Sequence, residues 1–214
     1  MSKNITIGLL TEGTTDQRFL QSIIQRTFES FELEITIIGV VSLEKSEGSF
    51  IDNVLKASQE AFNAGVNVLC VHSDADDKSN KKTYQNKMCP AKEALDEASE
   101  QTHCKIFVPI VPICMIEAWL LADKALLRAE IGTDKSDNKL EINRKPEIIA
   151  EPKKLIESAI RIAQKTSKRR QNLIIKDLYE PLGATIPLDK LAELSSYQDF
   201  RENIKDAFKI LQLL

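Results

Sequence analysis

Residues 68–77, VLCVHSDADD, constrain the fold of this chain more than any other stretch, because a run of strand-forming residues stops there at a group of acids. A short Val-rich run bounded by acids is typical of a strand that is buried on both faces of a parallel sheet. If the extended conformation continues past the strand, Asp74 and Asp76 leave the chain on the same side. The pair therefore indicates a place that holds a cation.

The stretches around it alternate between strand and helix patterns. The predicted strands that flank it, rich in β-branched and apolar residues, are 5–11, 34–41 and 105–111. The predicted helices, with apolar residues at helical spacing, are 14–31, 50–63 and 91–99. Thr14 is the expected cap of the first helix. Strands that alternate with helices of this length predict an α/β fold with a mainly parallel, doubly wound sheet.

The second half of the chain changes character. Pro112 is expected to open one apolar helix over residues 113–127, after which residues 131–152 are polar and lack periodicity. We therefore expect an α/β domain over residues 1–130, a linker or mobile loop over 131–152, and a helical extension over 153–214. The apolar stripe of the last helix, which should pack on the body of the protein, is Phe200, Ile204, Phe208 and Leu211.

The composition limits the classes of function. A formal net charge of −3, with 43% apolar and 29% charged residues, is that of a soluble globular protein and argues against adhesion to nucleic acid through overall charge. The four cysteines have no CxxC spacing, so there is no zinc signature, and Cys70 and Cys114 are expected to be buried free thiols. No run resembles a signal peptide or the roughly 20 apolar residues of a membrane span, so we expect a cytoplasmic protein.

Acidic residues follow three of the predicted strands. Glu12 follows the first, Asp74 the third and Glu117 the fourth, and parallel strands deliver their carboxyl ends to one edge of a sheet. Two carboxylates about 4 Å apart repel each other by about 4 kcal/mol at a surface-like dielectric, so a positive group must lie there or the acids must splay apart. Carboxylate oxygens select magnesium or manganese ions, which suits phosphoryl transfer or phosphodiester cleavage.

Two groups of basic residues are candidates for contact with a nucleic-acid backbone. One is the lysine-rich stretch at 78–87, expected to be a polar loop, and the other lies at 165–176. The residues expected to contact nucleic acid are Lys78, Lys81, Lys82, Lys168, Arg169, Arg170 and Lys176. Both groups are also compatible with a solvated surface, which is the commoner role of a cluster such as the second, and this alternative stays open. Lys176 or Tyr179 could reach a transition state if the second group lies over the acidic edge.

The acids carry a resemblance to known proteins. Glu12, Gly13 and Asp16 in TEGTTD, followed by Asp74 and Asp76 in SDADD, resemble the acidic signature of the Toprim fold, which topoisomerases, bacterial primases and OLD-type nucleases share. The segment ICMIEAWLLAD, at residues 113–123, resembles a Toprim-like family that is often encoded beside ATPases in bacterial defence loci. These motifs cover about the first 125 residues, and the helical tail is only loosely similar.

The resemblance implies a Toprim-like, magnesium- or manganese-dependent nuclease or related phosphodiester-cleaving enzyme that acts on DNA or RNA. It also implies a role in phage defence with a partner ATPase. The implied metal ligands are Glu12, Asp16, Asp74 and Asp76. The implied catalytic residues are Glu12, Asp74, Asp76 and Glu117, with Glu12 as a metal ligand or as a general acid or base.

Four of these acids also have a purely structural interpretation. Asp16 would interact with the dipole at the start of its helix, and Asp74 and Asp76 would cap amides in a turn after the strand. Glu117 would be a charge at the start of a helix, satisfied by backbone amides. His72 and Trp119 are expected to be packed in the core.

Two other functions remain open. The first is a non-catalytic regulatory subunit that keeps the Toprim shape and binds an ATPase. The second is a flavodoxin-like phosphohydrolase of a small phosphorylated substrate, although the chain has neither a GxxxxGK loop nor an evident nucleophile.

Overall fold

The structure is a computed structural model, and it describes residues 3–165 and 170–214. Its strands are β1 (Lys3–Leu10), β2 (Ile35–Leu43), β3 (Val68–His72) and β4 (Phe107–Ile110). They form one sheet in the order β2-β1-β3-β4, and every neighbouring pair is parallel. The predicted α/β class and parallel sheet are therefore confirmed.

The helices of the first half are α1 (Thr14–Glu29), α2 (Phe50–Asn63), α3 (Lys81–Thr83), a π-helical turn (Tyr84–Met88) and α4 (Cys89–Glu97). Next come α5 (Glu117–Leu120), α6 (Lys124–Ile131) and a 3₁₀ turn (Pro146–Ile148). The remaining ones are α7 (Pro152–Gln164), a 3₁₀ turn (Ile175–Asp177), α8 (Tyr179–Thr185), α9 (Leu188–Leu191) and α10 (Ser195–Ile210).

Helices cover both faces of the sheet, so successive side chains of β3 point alternately into two different cores. Val68 and Cys70 point into the larger core, which contains α1 together with α7, α8 and α10. Leu69 and Val71 point into the smaller core, which contains α2 and α4. Because both faces are buried, residues 68–71 of β3 are apolar at both sets of alternating positions, as the sequence predicted.

The last helix packs as its apolar stripe predicted. Phe200, Ile204 and Phe208 are fully buried in the larger core, and Leu211 packs against it. The helix begins at Ser195, and its N-cap is Leu194. The free amides of its first turn donate to the carboxylate of Glu147, which accepts from the backbone nitrogens of Ser195 and Ser196 at 2.9 and 2.8 Å.

Residues 131–152, predicted as a linker or mobile loop, contribute to the same core. Leu140, Ile142 and Ile149 are buried there at 0–2% exposure. Burial of these side chains holds a segment with little helix against the rest of the protein.

Trp119, as expected, is fully buried, and its indole nitrogen donates to the Ser196 hydroxyl at 2.9 Å. Cys70 and Cys114 are buried free thiols, also as expected. None of the helices in the described ranges has the length and apolarity that a membrane crossing requires.

Two predictions about secondary structure were wrong. The lysine-rich stretch at 78–87 is not a loop throughout, because continuous helix begins at Lys81 and runs through the π-helical turn into α4. Burial of Thr83 and Met88 stabilises this helix, and two buried positions among many polar ones give too weak a periodicity to be recognised.

The single helix predicted for residues 113–127 is instead two short helices. Pro112 and Cys114 accept backbone hydrogen bonds from Ala75 and Asp76 at 3.1 and 2.8 Å, which extends the pairing of β3 and β4 and excludes helix there. Asp123 then caps α6 by accepting from the Leu126 amide, so α5 has ended before it.

Smaller differences lie at element ends. The first helix is capped by Gly13 rather than by Thr14, and it ends at Glu29 rather than near residue 31. Such shifts of one or two residues are ordinary for helix ends.

Candidate acidic site at the carboxyl edge of the sheet

The site lies where the connections of the sheet change direction. β1 is followed by α1 on one face, whereas β3 is followed by α4 on the other, and the two strands are neighbours. In open α/β sheets this arrangement leaves a crevice outside the carboxyl ends of the two strands. Glu12 follows β1 and Asp74 follows β3, so both acids stand at this crevice.

His72, the last residue of β3, lies between two carboxylates. Its Nε2 is 3.2 Å from Oδ1 of Asp74 and its Nδ1 is 3.9 Å from Oδ2 of Asp16. The ring is buried, and neither nitrogen has an aligned hydrogen-bond partner in the described part of the chain. Burial by itself lowers the pKa of His72, but the nearby carboxylates, Asp74 foremost, raise the pKa above its ordinary value overall. The two carboxylates therefore favour the protonated, positively charged form of the histidine.

Ser73 points to the opposite face and joins a second group. Its hydroxyl donates to Oε1 of Glu12 at 2.7 Å and accepts from Nζ of Lys87 at 2.7 Å. The Lys87 ammonium is also 3.3 Å from Glu12 Oε1. Lys87 thus supplies one of the positive charges that the converging acids were expected to require.

The π-helical turn Tyr84–Met88 carries Lys87 into the site. A π turn adds a residue to the helical repeat, and such turns frequently occur at functional sites. The sequence predicted Lys87 only as part of a polar loop, and neither Ser73 nor His72 was among the predicted site residues.

Asp74 and Asp76 both lie at the crevice but do not continue as an extended pair. Asp74 Oδ1 accepts from the Ile116 amide at 2.8 Å. Asp76 has a φ of +50°, in the left-handed region, and its amide donates to the Cys114 carbonyl. The extended conformation that would put both side chains on one side therefore ends before Asp76.

The carboxylates are close enough to act on one another. The pKa of Asp16 is raised, mainly by burial and then by Asp74 and Glu12, against the lowering effect of His72. The pKa of Asp76 is raised by partial desolvation and by the charges of Asp74 and Glu12, although the charge of Lys87 lowers it. Glu12, Asp16, Asp74 and Asp76 thus act on one another electrostatically, although they come from two separate segments, residues 12–16 and 74–76.

Glu117 belongs to a buried group beside these acids. Its Oε1 accepts a hydrogen bond of 2.5 Å from the Tyr179 hydroxyl and lies 3.9 Å from Nζ of Lys153. Its Oε2 is buried and has no hydrogen-bond partner among residues 3–165 and 170–214. Burial raises the pKa of Glu117, and the charge of Asp74 adds to this. Burial and Glu117 also raise the pKa of Tyr179.

Tyr179 and Lys153 come from the helical part of the chain, at the starts of α8 and α7. The sequence predicted that Tyr179 could reach the site, whereas Lys153 was missed. No local pattern distinguishes Lys153 from the neighbouring exposed lysine, Lys154, which pairs with Glu151.

The donor chemistry of the acids fits a hard divalent ion, but they do not form a closed cage. Among residues 3–165 and 170–214, no three His, Cys, Asp or Glu side chains are grouped as ligands of one ion. Magnesium is usually held by one or two carboxylates, with waters and substrate phosphates completing its shell. Asp74 together with Asp76, or Asp74 together with Glu12, would suffice for such a site.

The predicted nucleic-acid contacts differ in their surroundings. Lys78, Lys81 and Lys82 are exposed, and Lys82 pairs with Asp77 at 3.0 Å. Lys176 is exposed, while Arg170 pairs with Glu130. The other two predicted contacts, Lys168 and Arg169, lie outside the described residues.

A parallel four-stranded sheet, helices on both faces and acids at the crevice define an α/β protein with a polar site at the carboxyl edge. The chain belongs to the protein family described as Domain of unknown function (DUF4276), which matches residues 11–180. The matched range runs from just before Glu12 to just after Tyr179, so it includes every residue of the site described above. No curated protein and no solved structure matches the chain.

Proposed function

We propose that this protein is a magnesium- or manganese-dependent phosphodiesterase that cleaves nucleic acid. The observation that carries the proposal is the gathering of Glu12, Asp16, Asp74 and Asp76 at the crevice between β1 and β3. Lys87 and His72 balance part of this charge. The order of these acids along the chain also supports membership of the Toprim fold.

Each side chain has a role in this proposal. Asp74 and Asp76 would hold the ion, and Glu12, which is more exposed than Asp16, would bind the ion or accept a proton from water. Bound there, the ion would supply an activated water and neutralise phosphate oxygens. Lys87 and Lys153, at the two sides of the acids, would attract the negative phosphate and stabilise the charge that develops on it.

A second candidate is a non-catalytic subunit that binds a partner ATPase. It is favoured by the contact of Lys87 with Glu12, since an ammonium already neutralises the acid that an ion would otherwise contact. In this candidate the acids would have no catalytic role, and removing one of them would leave the biological activity intact.

Asp74→Asn tests the proposal, because it removes a charged ligand while keeping the side-chain shape. We expect calorimetry with Mn²⁺ to show a divalent site in the native protein and its loss in the variant. Cleavage of DNA or RNA, with the partner ATPase present, should fall by at least about a hundredfold, since even groups that only support a metal ligand are worth up to that much.

Asp96→Asn is the matched control, because Asp96 is exposed on α4 and pairs with Lys92 away from the acids. It should leave both the Mn²⁺ site and cleavage unchanged. Equal Mn²⁺ binding by Asp74→Asn and native protein would contradict the metal assignment. Undiminished activity in that variant would favour the second candidate.

A further inference from the structure

A cavity of about 170 Å³ opens beside Glu12, on the face of the sheet that α2 covers. The ends of β1 and β3 form its floor, the segment between β2 and α2 forms one wall, and the π-helical turn forms another. The charged and ring-bearing residues of its lining are Lys45, Lys87, Glu12, His72 and Phe50.

The wall formed by the segment before α2 is held by hydrogen bonds. Asn53 Oδ1 accepts from the amide of Ser46 at 2.7 Å, and its Nδ2 donates to the carbonyl of Ser49 at 2.9 Å. Ser49 and Asp52 cap each other's backbone at the start of the helix. These bonds fix the backbone on either side of Phe50, and its side chain packs, partly buried, against the smaller core.

The lining combines the two features with which proteins hold single-stranded nucleic acid, a positive charge for the backbone and an aromatic face for a base. Phe50 is half-buried, and the Lys87 ammonium stands 5.8 Å from the centre of its ring. Lys45 is exposed at the rim. Lys87 also contacts Glu12, so a group in this cavity would lie directly beside the acids.

The size of the cavity selects among nucleic acids. Its volume of about 170 Å³ is several times the ~30 Å³ share of one water and well below the 300–1,000 Å³ of pockets for drug-sized ligands. It can admit one flat ring system, but a base pair would not enter.

We propose that this cavity is a subsite for one unpaired nucleotide, with its base against Phe50 and its phosphate between Lys45 and Lys87. The inference rests on the proposed function, which it deepens by naming single-stranded nucleic acid, or an unpaired position in it, as the substrate. A duplex would have to open by at least one base before its phosphate reached the acids.

The test measures binding rather than cleavage. Fluorescence anisotropy in EDTA would compare a labelled oligothymidylate with a strand of the same length that has the same sugar–phosphate backbone but no bases. We expect the native protein to bind the strand with bases about tenfold more tightly, since stacking is worth about 1–3 kcal/mol per base. Phe50→Ala should abolish this preference, and Phe50→Tyr should retain it.

Matched controls lie on the same helix. Phe62 is an exposed phenylalanine at the other end of α2, and Lys56 is exposed on that helix. Phe62→Ala should keep the preference for bases. Lys45→Ala should weaken binding of both strands several-fold, and Lys56→Ala should not. Equal binding of the two strands by the native protein, or an unchanged preference in Phe50→Ala, would overturn the inference.

The same assay separates this inference from the proposed function. Asp74→Asn should bind the oligothymidylate in EDTA with the native preference for bases, because the cavity does not use that side chain. If the native protein prefers the strand with bases but cleaves no nucleic acid, the subsite is supported and the proposed phosphodiesterase activity is contradicted. If it cleaves nucleic acid but shows no such preference, the activity is supported and the subsite is contradicted.

Discussion

At the scale of single residues, the site depends on which group stands beside each carboxylate. His72 lies between Asp16 and Asp74, and Lys87 contacts Glu12 through the same oxygen that accepts from Ser73. The strand pattern of the sequence was enough to predict that Glu12 follows β1 and Asp74 follows β3. It did not predict their counter-charges, because those depend on which side of β3 each residue faces and on the pitch of a helix.

Glu117 leads to a prediction about pH. Its pKa in the folded protein is raised above the ordinary value of 4.5, so the folded state holds this proton more tightly than the unfolded state does. The resulting stabilisation is present below pH 4.5 and is lost as the pH rises through the folded value. The pKa values of Asp16, Asp76 and His72 are shifted upward too, so each adds to the same trend.

We expect the free energy of unfolding in EDTA to be lower at pH 8 than at pH 5, with Glu117 contributing to that decrease. Glu117→Gln cannot ionise, so it should show a smaller decrease. Urea unfolding of both proteins at the two pH values measures the difference. Glu193→Gln is the control, since Glu193 is exposed and pairs with Lys190. If the free energy of unfolding decreases equally in Glu117→Gln and in the native protein, this account is contradicted.

At the scale of elements, the close approach of α8 to α1 fixes the position of Tyr179. Gly183 in α8 packs directly on the backbone of Phe19 in α1, without room for a Cβ atom. Arg26 of α1 donates to the carbonyls of Gly183 and Ile186 at 3.1 and 2.7 Å. This contact sets the position of the start of α8. It thereby positions the Tyr179 hydroxyl, which donates a hydrogen bond to Glu117.

Gly183→Ala should therefore destabilise the protein by about 1–3 kcal/mol or more, since the backbone of a packed helix cannot yield as a flexible side chain would. The midpoint of urea unfolding measures the loss. Gly39→Ala is the control, because a Cβ there meets nothing within 4 Å, and it should change stability by less than about 0.5 kcal/mol. A stable Gly183→Ala protein would mean that α8 can move away from α1.

At the scale of the whole molecule, one core joins the sheet to the C-terminal helices. Phe208 of α10 packs edge-to-face on Phe28 of α1 at 5.5 Å and on Phe31 at 5.3 Å. Arg201 also lies over the Phe31 ring at 4.7 Å. Helices at opposite ends of the chain thus support each other, and the site lies at the edge of this shared body.

Phe208→Ala should cost about 3–5 kcal/mol, because it leaves a cavity between α1 and α10 and removes two aromatic contacts. Thermal and urea unfolding both measure this loss. Ile210→Ala, at a side chain that is 62% exposed two residues later, should be nearly neutral. A loss below about 1 kcal/mol in Phe208→Ala would contradict a shared core, because it would show that α10 contributes little to folding.

The sequence by itself was sufficient for the α/β class, the parallel sheet and the acids after β1 and β3. Apolar runs that end in acids carry this information locally, since a strand buried on both faces is apolar at nearly every position. The tertiary structure decided the break in the helix predicted for residues 113–127 and the π-helical turn that carries Lys87. It also decided the contact of Glu117 with Tyr179, residues that are 62 positions apart. Each of these depends on contacts between distant segments, which local periodicity does not record.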